Sequence, residues 1–330
     1  MSINPVTLQL RVVEARELNA LIRLIRLRAD DGATLPSYSA GAHLRVSVEL
    51  PDGSADWRHY SLINFGARAD ACERPTEYLI AVRRDDVGRG GSRFMHQRVQ
   101  AGQLLTIEAP KNEFPLRDHT GCAVLVAGGI GITPLISMAA QRVAARAPVR
   151  LHYAGRNSAL MAFVPELQQL LGDALKLHVD ADAGAPLNVD ALLDSCGADD
   201  QLYVCGPKPM LDTLLARTQA RAWTRERVHF EVFNTPTVES GDHAFEVVLS
   251  QSGRSVTVPA DRSILDCLID EGIDPLFDCR RGECGVCGTP VLEGEIDHRD
   301  YVLSALEKRE GRVMQICVSR CKGARLVLDL

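Results

Sequence analysis

Three cysteines near the end of the chain are spaced so that only a tight loop can bring their thiols together. Cys279, Cys284 and Cys287 follow the pattern C-x4-C-x2-C within DCRRGECGVCG, and a fourth thiol, Cys317, lies further along. This spacing is typical of plant-type [2Fe–2S] sites, which are held by four thiolates. Iron favours such soft, charged ligands. The sequence therefore predicts a [2Fe–2S] cluster on these four cysteines, and a chain that carries single electrons.

Glycines and arginines between the thiols fit the same prediction. Gly282, Gly285 and Gly288 allow the backbone to take conformations in which N–H groups point at sulfur. Such hydrogen bonds raise the reduction potential of a metal centre. Arg280 and Arg281 are expected to add positive charge beside an anionic cluster.

The cysteine pattern leaves two alternatives open. Zinc sites commonly pair two C-x2–4-C units, and Cys317 with Cys321 would form the second unit. Cys321 is also an alternative fourth ligand for iron. We favour Cys317 because it follows VMQI, a segment typical of a strand that enters the loop.

Length and composition predict a soluble, cytoplasmic protein of several domains. A chain of 330 residues is too long for one compact core. It has no apolar run of membrane-spanning length, and its N-terminus lacks a signal-peptide core. Most of the net charge of −6 falls in the last ninety residues, which predicts either steering towards a basic partner or simply a solvated surface. The remaining cysteines are scattered, as in reduced cytosolic proteins: Cys72, Cys122, Cys196, Cys205 and Cys267.

Hydrophobic periodicity predicts three domains. Residues 1–112 contain short period-two segments separated by Pro- and Gly-rich turns, which indicates a small antiparallel barrel or sandwich. Residues 113–234 alternate apolar strands with helices, which predicts an α/β parallel sheet with helices on both faces. A linker over Asn234–His243 leads into residues 241–330, where we expect a hairpin and a helix N-capped by Ser263.

A glycine-rich turn in the second domain is a candidate nucleotide site. It separates the apolar strand CAVLVAG from the helix PLISMAAQRVAARA. Glycines permit close approach of a ligand, and the N-terminal amides of a helix attract phosphate. The candidate residues are Gly128, Gly129, Ile130, Gly131 and Thr133.

A second turn, Cys205-Gly206-Pro207, follows the strand QLYV and should lie at the same edge of the sheet. It could place a thiol against a nicotinamide ring, or it could be a buried cysteine before a turn.

The sequence favours NADH over NADPH. Arg156, after the second strand of the sheet, could bind a 2′-phosphate. Asp180 and Asp182, after the third strand, would repel that phosphate and could accept hydrogen bonds from ribose hydroxyls.

Two polar segments of the first domain are further candidates. Arg58-His59-Tyr60-Ser61 lies on an expected strand, and we expect Arg58, Tyr60 and Ser61 to share one face. That face would offer a cation, a ring and a hydroxyl to a phosphate, an isoalloxazine plane and a ring nitrogen. Residues 88–92, GRGGS, open a helix and form a second candidate anion site.

Six ordered motifs give the whole chain a family resemblance. RHYSL, AVRRDDVGRGGSRFMH, AGGIGITP, YVCGPKPM, VHFEVF and CRRGECGVCG with Cys317 occur in this order. The chain resembles the phthalate dioxygenase reductase family, and vanillate demethylase reductases are similar. The resemblance implies an FMN-binding antiparallel β-barrel, an NAD-binding α/β domain of the ferredoxin reductase type, and an α+β, β-grasp, plant-type ferredoxin domain.

The resemblance also implies roles for individual residues. Ser61 should lie near the reactive ring nitrogen of FMN, and Phe233 should cover the ring where nicotinamide docks; with Cys205 these are the candidate catalytic residues. FMN is chosen over FAD because the family lacks an adenine half-site on the barrel. His59 lies in the cofactor-binding strand, but His59 and His96 are expected to pack rather than to transfer protons. The other flavin-binding candidates are Arg58, Tyr60, Ala81, Val82, Arg83, Gly90, Gly91 and Ser92.

By this resemblance, NADH would reduce FMN, and electrons would pass singly through the cluster to a Rieske-type non-haem iron oxygenase. Two alternatives remain. The acceptor could be a P450 or a separate ferredoxin, or the chain could be a zinc-containing, flavin-binding redox sensor without turnover. We expect a monomer without nucleic-acid or membrane partners.

Overall fold

The computed structural model describes residues 6–66, 72–233 and 238–330. The chain divides into two compact units, Met1–Glu231 and Val232–Leu330. Part of the predicted linker, residues 234–237, lies outside the described residues. Within the described ranges, every helix is too short or too polar to cross a bilayer. The boundaries near residues 112 and 234 that we expect from the sequence stay predictions.

The first unit begins with six antiparallel strands. Alternate residues of each strand are apolar, so one face of the sheet packs into a common core that contains Leu44, Val46 and Val48. The strands are β1 (Thr7–Glu17), β2 (Ile22–Arg28), β3 (His43–Glu49), β4 (Ala55–Ser61), β5 (Tyr78–Arg83) and β6 (Leu104–Glu108), with helix α1 (Gly91–Gln97) between the last two. Their order is β4-β3-β6-β1-β2-β5. Because β4 and β5 also approach each other, the sheet is a nearly closed barrel, as predicted.

The rest of the first unit is a five-stranded parallel sheet with interspersed helices. The strands are β7 (Ala123–Gly128), β8 (Val149–Gly155), β9 (Leu175–Val179), β10 (Gln201–Cys205) and β11 (Val228–Glu231). The helices are α2 (Ile132–Ala144), α3 (Val164–Leu171), α4 (Asp180–Ala183), α5 (Val189–Asp194) and α6 (Lys208–Ala220). The order β11-β10-β7-β8-β9 reverses direction between β7 and β10. Ligands of such sheets bind at this switch point, outside the carboxyl ends of the strands.

The second unit is built around a mixed five-stranded sheet. The strands of this unit, which include a separate pair outside that sheet, are β12 (Phe245–Leu249), β13 (Ser255–Val258), β14 (Gly288–Glu293), β15 (Ile296–Asp297), β16 (Val313–Gln315), β17 (Arg320–Cys321) and β18 (Arg325–Leu328). Its helices are α7 (Ile264–Asp270) and α8 (Ala305–Glu310). The order is β13-β12-β18-β14-β16, in which β12 and β18 are parallel, and β15 pairs with β17 separately. The predicted hairpin is β12–β13, and the cluster loop lies between α7 and β14.

Ser263 caps α7 as predicted. Its hydroxyl oxygen accepts a hydrogen bond from the backbone N–H of Asp266 at 3.0 Å. Helix α7 buries Ile264, Leu265 and Leu268 in the core of this unit. The cap thus fixes where the helix starts, and the cluster loop follows the helix in the chain.

We expect Ser263→Ala to lower the free energy of unfolding of the cluster-containing unit by about 1 kcal/mol, because a helical N–H loses its acceptor. Chemical denaturation followed by the visible absorbance of the cluster measures this loss. Ser263→Thr, which keeps the acceptor, is the control. Equal destabilisation by both substitutions would contradict the capping role.

Candidate functional site

The turns after β7 and β10 pack closely at the switch point. A Cβ atom on Gly131 would lie 2.1 Å from the carbonyl oxygen of Cys205, and one on Gly128 would lie 2.5 Å from Cδ of Pro207. A Cβ on Gly206 would lie 2.2 Å from Cε of Met210. Glycine is required at positions 131 and 128, where the obstructing atoms belong to a backbone carbonyl and a proline ring, whereas the Met210 side chain could move away from position 206. The sequence thus brings the two predicted nucleotide segments together at one edge of the sheet.

The turn itself is a single 3-10 turn, Gly129–Gly131, that runs directly into α2. Gly129 has a φ of +55°, a conformation that favours glycine. The Thr133 hydroxyl donates to the carbonyl of Ile130 at 3.0 Å and is buried. Thr133 therefore braces the turn, and a direct contact between Thr133 and the nucleotide stays a prediction.

Arg156 and Asp180 lie side by side at the same edge. Arg156 follows β8, and Asp180 begins α4 directly after β9. The N–H of Ala181 donates to the carbonyl of Arg156 at 3.1 Å, which holds the two turns together. The structure thus brings the predicted cation and the predicted carboxylate into one neighbourhood.

Strand β4 places the flavin candidates on two faces rather than one. Tyr60 pairs with Leu44 and packs against the barrel core, and Arg58 pairs with Val46 on the same face. Ser61 pairs instead with His43. Successive residues of a strand point to opposite faces, so the prediction of one shared face is wrong for Ser61.

The hydroxyl oxygen of Ser61 is nevertheless a buried polar atom without a hydrogen-bond partner among the described residues. The next residues are held by α2, because the Ser137 hydroxyl donates to the carbonyl of Leu62 at 2.7 Å and accepts from the N–H of Asn64 at 3.0 Å. A buried, unpartnered hydroxyl between the barrel and α2 fits a hydrogen bond to a flavin ring.

The start of α1 forms a cradle over Arg58. A Cβ atom on Gly91 would lie 2.7 Å from Nε of Arg58, and one on Gly90 would lie 2.6 Å from Cδ of Pro51. Arg58 itself donates to Asp56 at 2.6 Å. A guanidinium beneath a glycine turn fits a phosphate group.

Ser92 is engaged in the loop before α1. Its hydroxyl accepts from the N–H of Asp85 at 3.0 Å and lies 3.2 Å from the carbonyl of the same residue. Ser92 therefore closes this loop, and its contact with phosphate stays a prediction.

Strand β5 carries the predicted lining residues towards the nucleotide turn. Ala81 and Val82 are buried, and Arg83 is exposed. The Cα atoms of β5 approach those of the turn Gly129–Gly131 within 8 Å. A ring bound along β5 would therefore lie beside the glycine turn at the switch point.

His59 and His96 both have contacts within the barrel, and the expectation that they pack rather than transfer protons stays a prediction. His59 packs edge-on against the ring of His43, with centroids 4.9 Å apart. His96 Nε2 lies 2.9 Å from the carbonyl oxygen of Val82.

Glu231 is a buried carboxylate beside the candidate nucleotide site that the sequence motifs do not mark. It is the last residue of β11, pairs with Cys205 in the parallel register, and is only 2 % exposed. Phe233 follows two residues later and is half-buried. Glu231 belongs to the motif VHFEVF, in which the sequence singles out only the aromatic residue Phe233.

The cluster loop gathers its thiols in the second unit. Cys279, Cys287 and Cys317 are buried, whereas Cys284 is exposed. Gly282 and Gly285 have φ values of +75° and +82°, and a Cβ on Gly282 would lie 2.7 Å from Cγ2 of Val318. The two glycines thus take the left-handed backbone conformation that the sequence predicts for the loop, whereas Gly288 does not.

The thiols influence one another's ionisation. A hydrogen bond with Cys317 lowers the pKa of Cys287 to about 7. The same contact, together with burial, raises the pKa of Cys317, and burial raises the pKa of Cys279 to about 11. Neighbouring thiolates in an apolar pocket repel each other, so the donor set fits a cationic iron centre. No group of three or more His, Cys, Asp or Glu residues in the described ranges is arranged around one point as for a single ion.

Cys317 and Cys321 have different surroundings. Cys317 contacts Cys287, whereas the thiol of Cys321 donates to the carbonyl of Arg325 at 3.4 Å. Gln315, which no sequence motif marks, is buried and accepts a hydrogen bond from the Cys287 thiol at 3.4 Å. The structure thus brings Cys317, rather than Cys321, to the other thiols.

The two arginines of the loop have acidic partners. Arg280 lies 3.1 Å from Asp266, and Arg281 lies 2.6 Å from Glu283. Each guanidinium thus pairs with a carboxylate, which offsets the positive charge that we expect these arginines to place beside the cluster.

Comparisons with known proteins agree with this geometry. Residues 247–322 match the model of the 2Fe-2S iron-sulfur cluster binding domain, and residues 125–216 match the oxidoreductase NAD-binding domain. The toluene-4-sulfonate monooxygenase system reductase subunit TsaB1 of Comamonas testosteroni is 39% identical over 99% of this chain and 98% of its own. The heme-dependent oxidative N-demethylase beta subunit of Ectopseudomonas mendocina is 38% identical over 98% and 99%.

A solved structure extends the likeness to the fold. Phthalate dioxygenase reductase, described as modular for electron transfer from pyridine nucleotides to [2Fe–2S], is 38% identical, with a TM-score of 0.74 and 98% of both chains covered. Fold and site define an iron–sulfur oxidoreductase that uses FMN, a [2Fe–2S] cluster and NADH. The chain belongs to the phthalate dioxygenase reductase family.

We expect Cys317→Ser to lose most of the bound iron and Cys321→Ser to keep it, because only Cys317 lies beside Cys287. Iron and acid-labile sulfide per chain, with the visible spectrum, provide the measurement. The assignment of the fourth ligand fails if the Cys321 variant loses the cluster instead.

We expect Gly131→Ala to slow the reduction of FMN by NADH about tenfold or more, because small misplacements of a hydride donor are costly. The new Cβ would overlap the Cys205 carbonyl. Anaerobic stopped-flow absorbance measures the step. Gly197→Ala is the control, since its nearest contact would be an ordinary 3.5 Å; similar rates in both variants would contradict the role of the turn.

Proposed function

We propose that this chain is the reductase component of an oxygenase system and delivers electrons from NADH to a Rieske-type non-haem iron oxygenase. We further propose that it acts as a cytoplasmic monomer. The observation that carries the proposal is the approach of β5 to the glycine turn of the switch point, within the same unit that holds the unpartnered Ser61 hydroxyl. The three features together suit the meeting of a nicotinamide with a flavin.

Residues of the first unit would hold the two rings in contact. Arg58 with Gly91 would bind the FMN phosphate, and Ser61 would bond the ring near its reactive nitrogen. Cys205, buried against Gly131, would limit how deeply nicotinamide enters. Bound FMN supplies the exchange of a hydride's two electrons for the single electrons that a [2Fe–2S] centre carries.

Residues of the second unit would set where electrons leave. Cys284 is the exposed thiol of the predicted ligand set, and the other three are buried. An acceptor protein would therefore reach the centre most closely on the side of Cys284. An accessible edge shortens the distance over which an electron must tunnel to a protein partner, whereas a centre buried on every side would transfer electrons more slowly.

A haem protein is the second candidate acceptor. One relative of nearly equal length and similar identity is the beta subunit of a heme-dependent oxidative N-demethylase. The family resemblance favours a non-haem iron oxygenase, and reduction assays with purified oxygenases of both kinds distinguish the two.

We expect Cys284→Ser to leave the reduction of FMN by NADH intact and to abolish the delivery of electrons to a one-electron acceptor protein such as cytochrome c. The substitution removes an exposed ligand and leaves the buried core unchanged. Stopped-flow absorbance of FMN and steady-state reduction of cytochrome c measure the two steps. Cys267→Ser, a buried thiol on α7, is the control. Undiminished cytochrome c reduction in the Cys284 variant would overturn the proposed route.

A further inference from the structure

A chain of contacts links the first predicted cluster ligand to the backbone beside Phe233. The N–H of Arg281 donates to the sulfur of Cys279 at 3.3 Å. The guanidinium of Arg281 lies 2.6 Å from one carboxylate oxygen of Glu283. The other oxygen of Glu283 accepts the backbone N–H of Val232 at 2.8 Å.

The link is buried and its backbone is constrained. Only 7% of the Arg281 side chain and 11% of the Glu283 side chain are exposed. Gly282, between them, has a φ of +75° and no room for a Cβ atom beside Val318. Hydrogen bonds to a charged acceptor shielded from water are among the stronger ones in proteins. The hydrogen bond from Val232 to Glu283 therefore restrains the backbone at Val232.

We propose that Glu283 is a positioning residue through which the cluster loop holds Val232 and thereby the adjacent Phe233. This inference rests on the proposed function and on the role that the family resemblance implies for Phe233, which would cover the flavin ring where nicotinamide docks and so would have to yield to it. A cover that is held in place opposes the entry of the nicotinamide. Glu283 would thus weaken NADH binding, and at the same time it would keep Phe233 over the flavin ring.

The experiment compares Glu283→Ala with Glu283→Gln in the full chain loaded with its cofactors. Alanine removes the acceptor, whereas glutamine keeps a carbonyl oxygen that can accept from Val232. Glu295→Ala is a matched control, because Glu295 lies in the same unit and its side chain is 72% exposed. Iron, FMN and NADH-dependent reduction of FMN are measured first in the native chain, so that failure of the proposed function is detected separately.

Two readouts test the inference. Hydrogen–deuterium exchange of the peptide that contains Val232 should become about tenfold faster in Glu283→Ala, because a charge-assisted hydrogen bond is lost. The KM for NADH should fall roughly threefold with kcat nearly unchanged, because displacing the cover costs less. Glu283→Gln should match the native chain in both.

Unchanged exchange in Glu283→Ala would overturn the contact. Faster exchange with an unchanged or higher KM would overturn its role in positioning Phe233. A general loss of structure would raise KM, lower kcat and reduce bound iron together, so it also counts against the inference. Effects of similar size in Glu295→Ala would show that charge alone is responsible, and would overturn it as well.

Discussion

The crowding of thiols in a buried loop is the constraint on which the second unit depends. Cys279, Cys287 and Cys317 lie in or beside the apolar core, where thiolates without a cation would repel each other strongly. The loop can bring them together only because Gly282 and Gly285 accept positive φ values that other residues avoid. Iron bound by these predicted ligands would relieve the repulsion, so that folding of the loop and loading of the cluster would reinforce each other.

The first unit solves a similar problem with backbone atoms. Two turns from strands that are distant in sequence meet at the switch point, and a side chain on Gly131 would drive them apart. The strand–glycine–helix pattern predicts this site because each part of it is local in sequence and has one structural meaning. The barrel is predictable for the same reason, since period-two apolar segments leave few alternatives.

The errors and omissions concern orientation and long-range pairing. Ser61 lies on the opposite face from Tyr60 because the pleat alternates at every residue, a rule that the motif RHYSL conceals. Gln315 and Glu283 act on residues far away in the chain, so no local pattern marks them. Glu283 also explains why Arg281 brings no free charge to the loop, since its partner lies only two residues further on.

The distribution of exposure over the predicted cluster ligands joins these constraints to function. Three thiols in the core fix the geometry of the centre, which keeps the reorganisation around it small when an electron arrives. One thiol at the surface, Cys284, shortens the path to an acceptor. Burial of all four would protect the centre but lengthen that path, whereas exposure of all four would leave the ligands mobile. The loop combines both requirements because Cys284 lies between two glycine-dependent turns, while the adjoining strand β14 anchors Cys287.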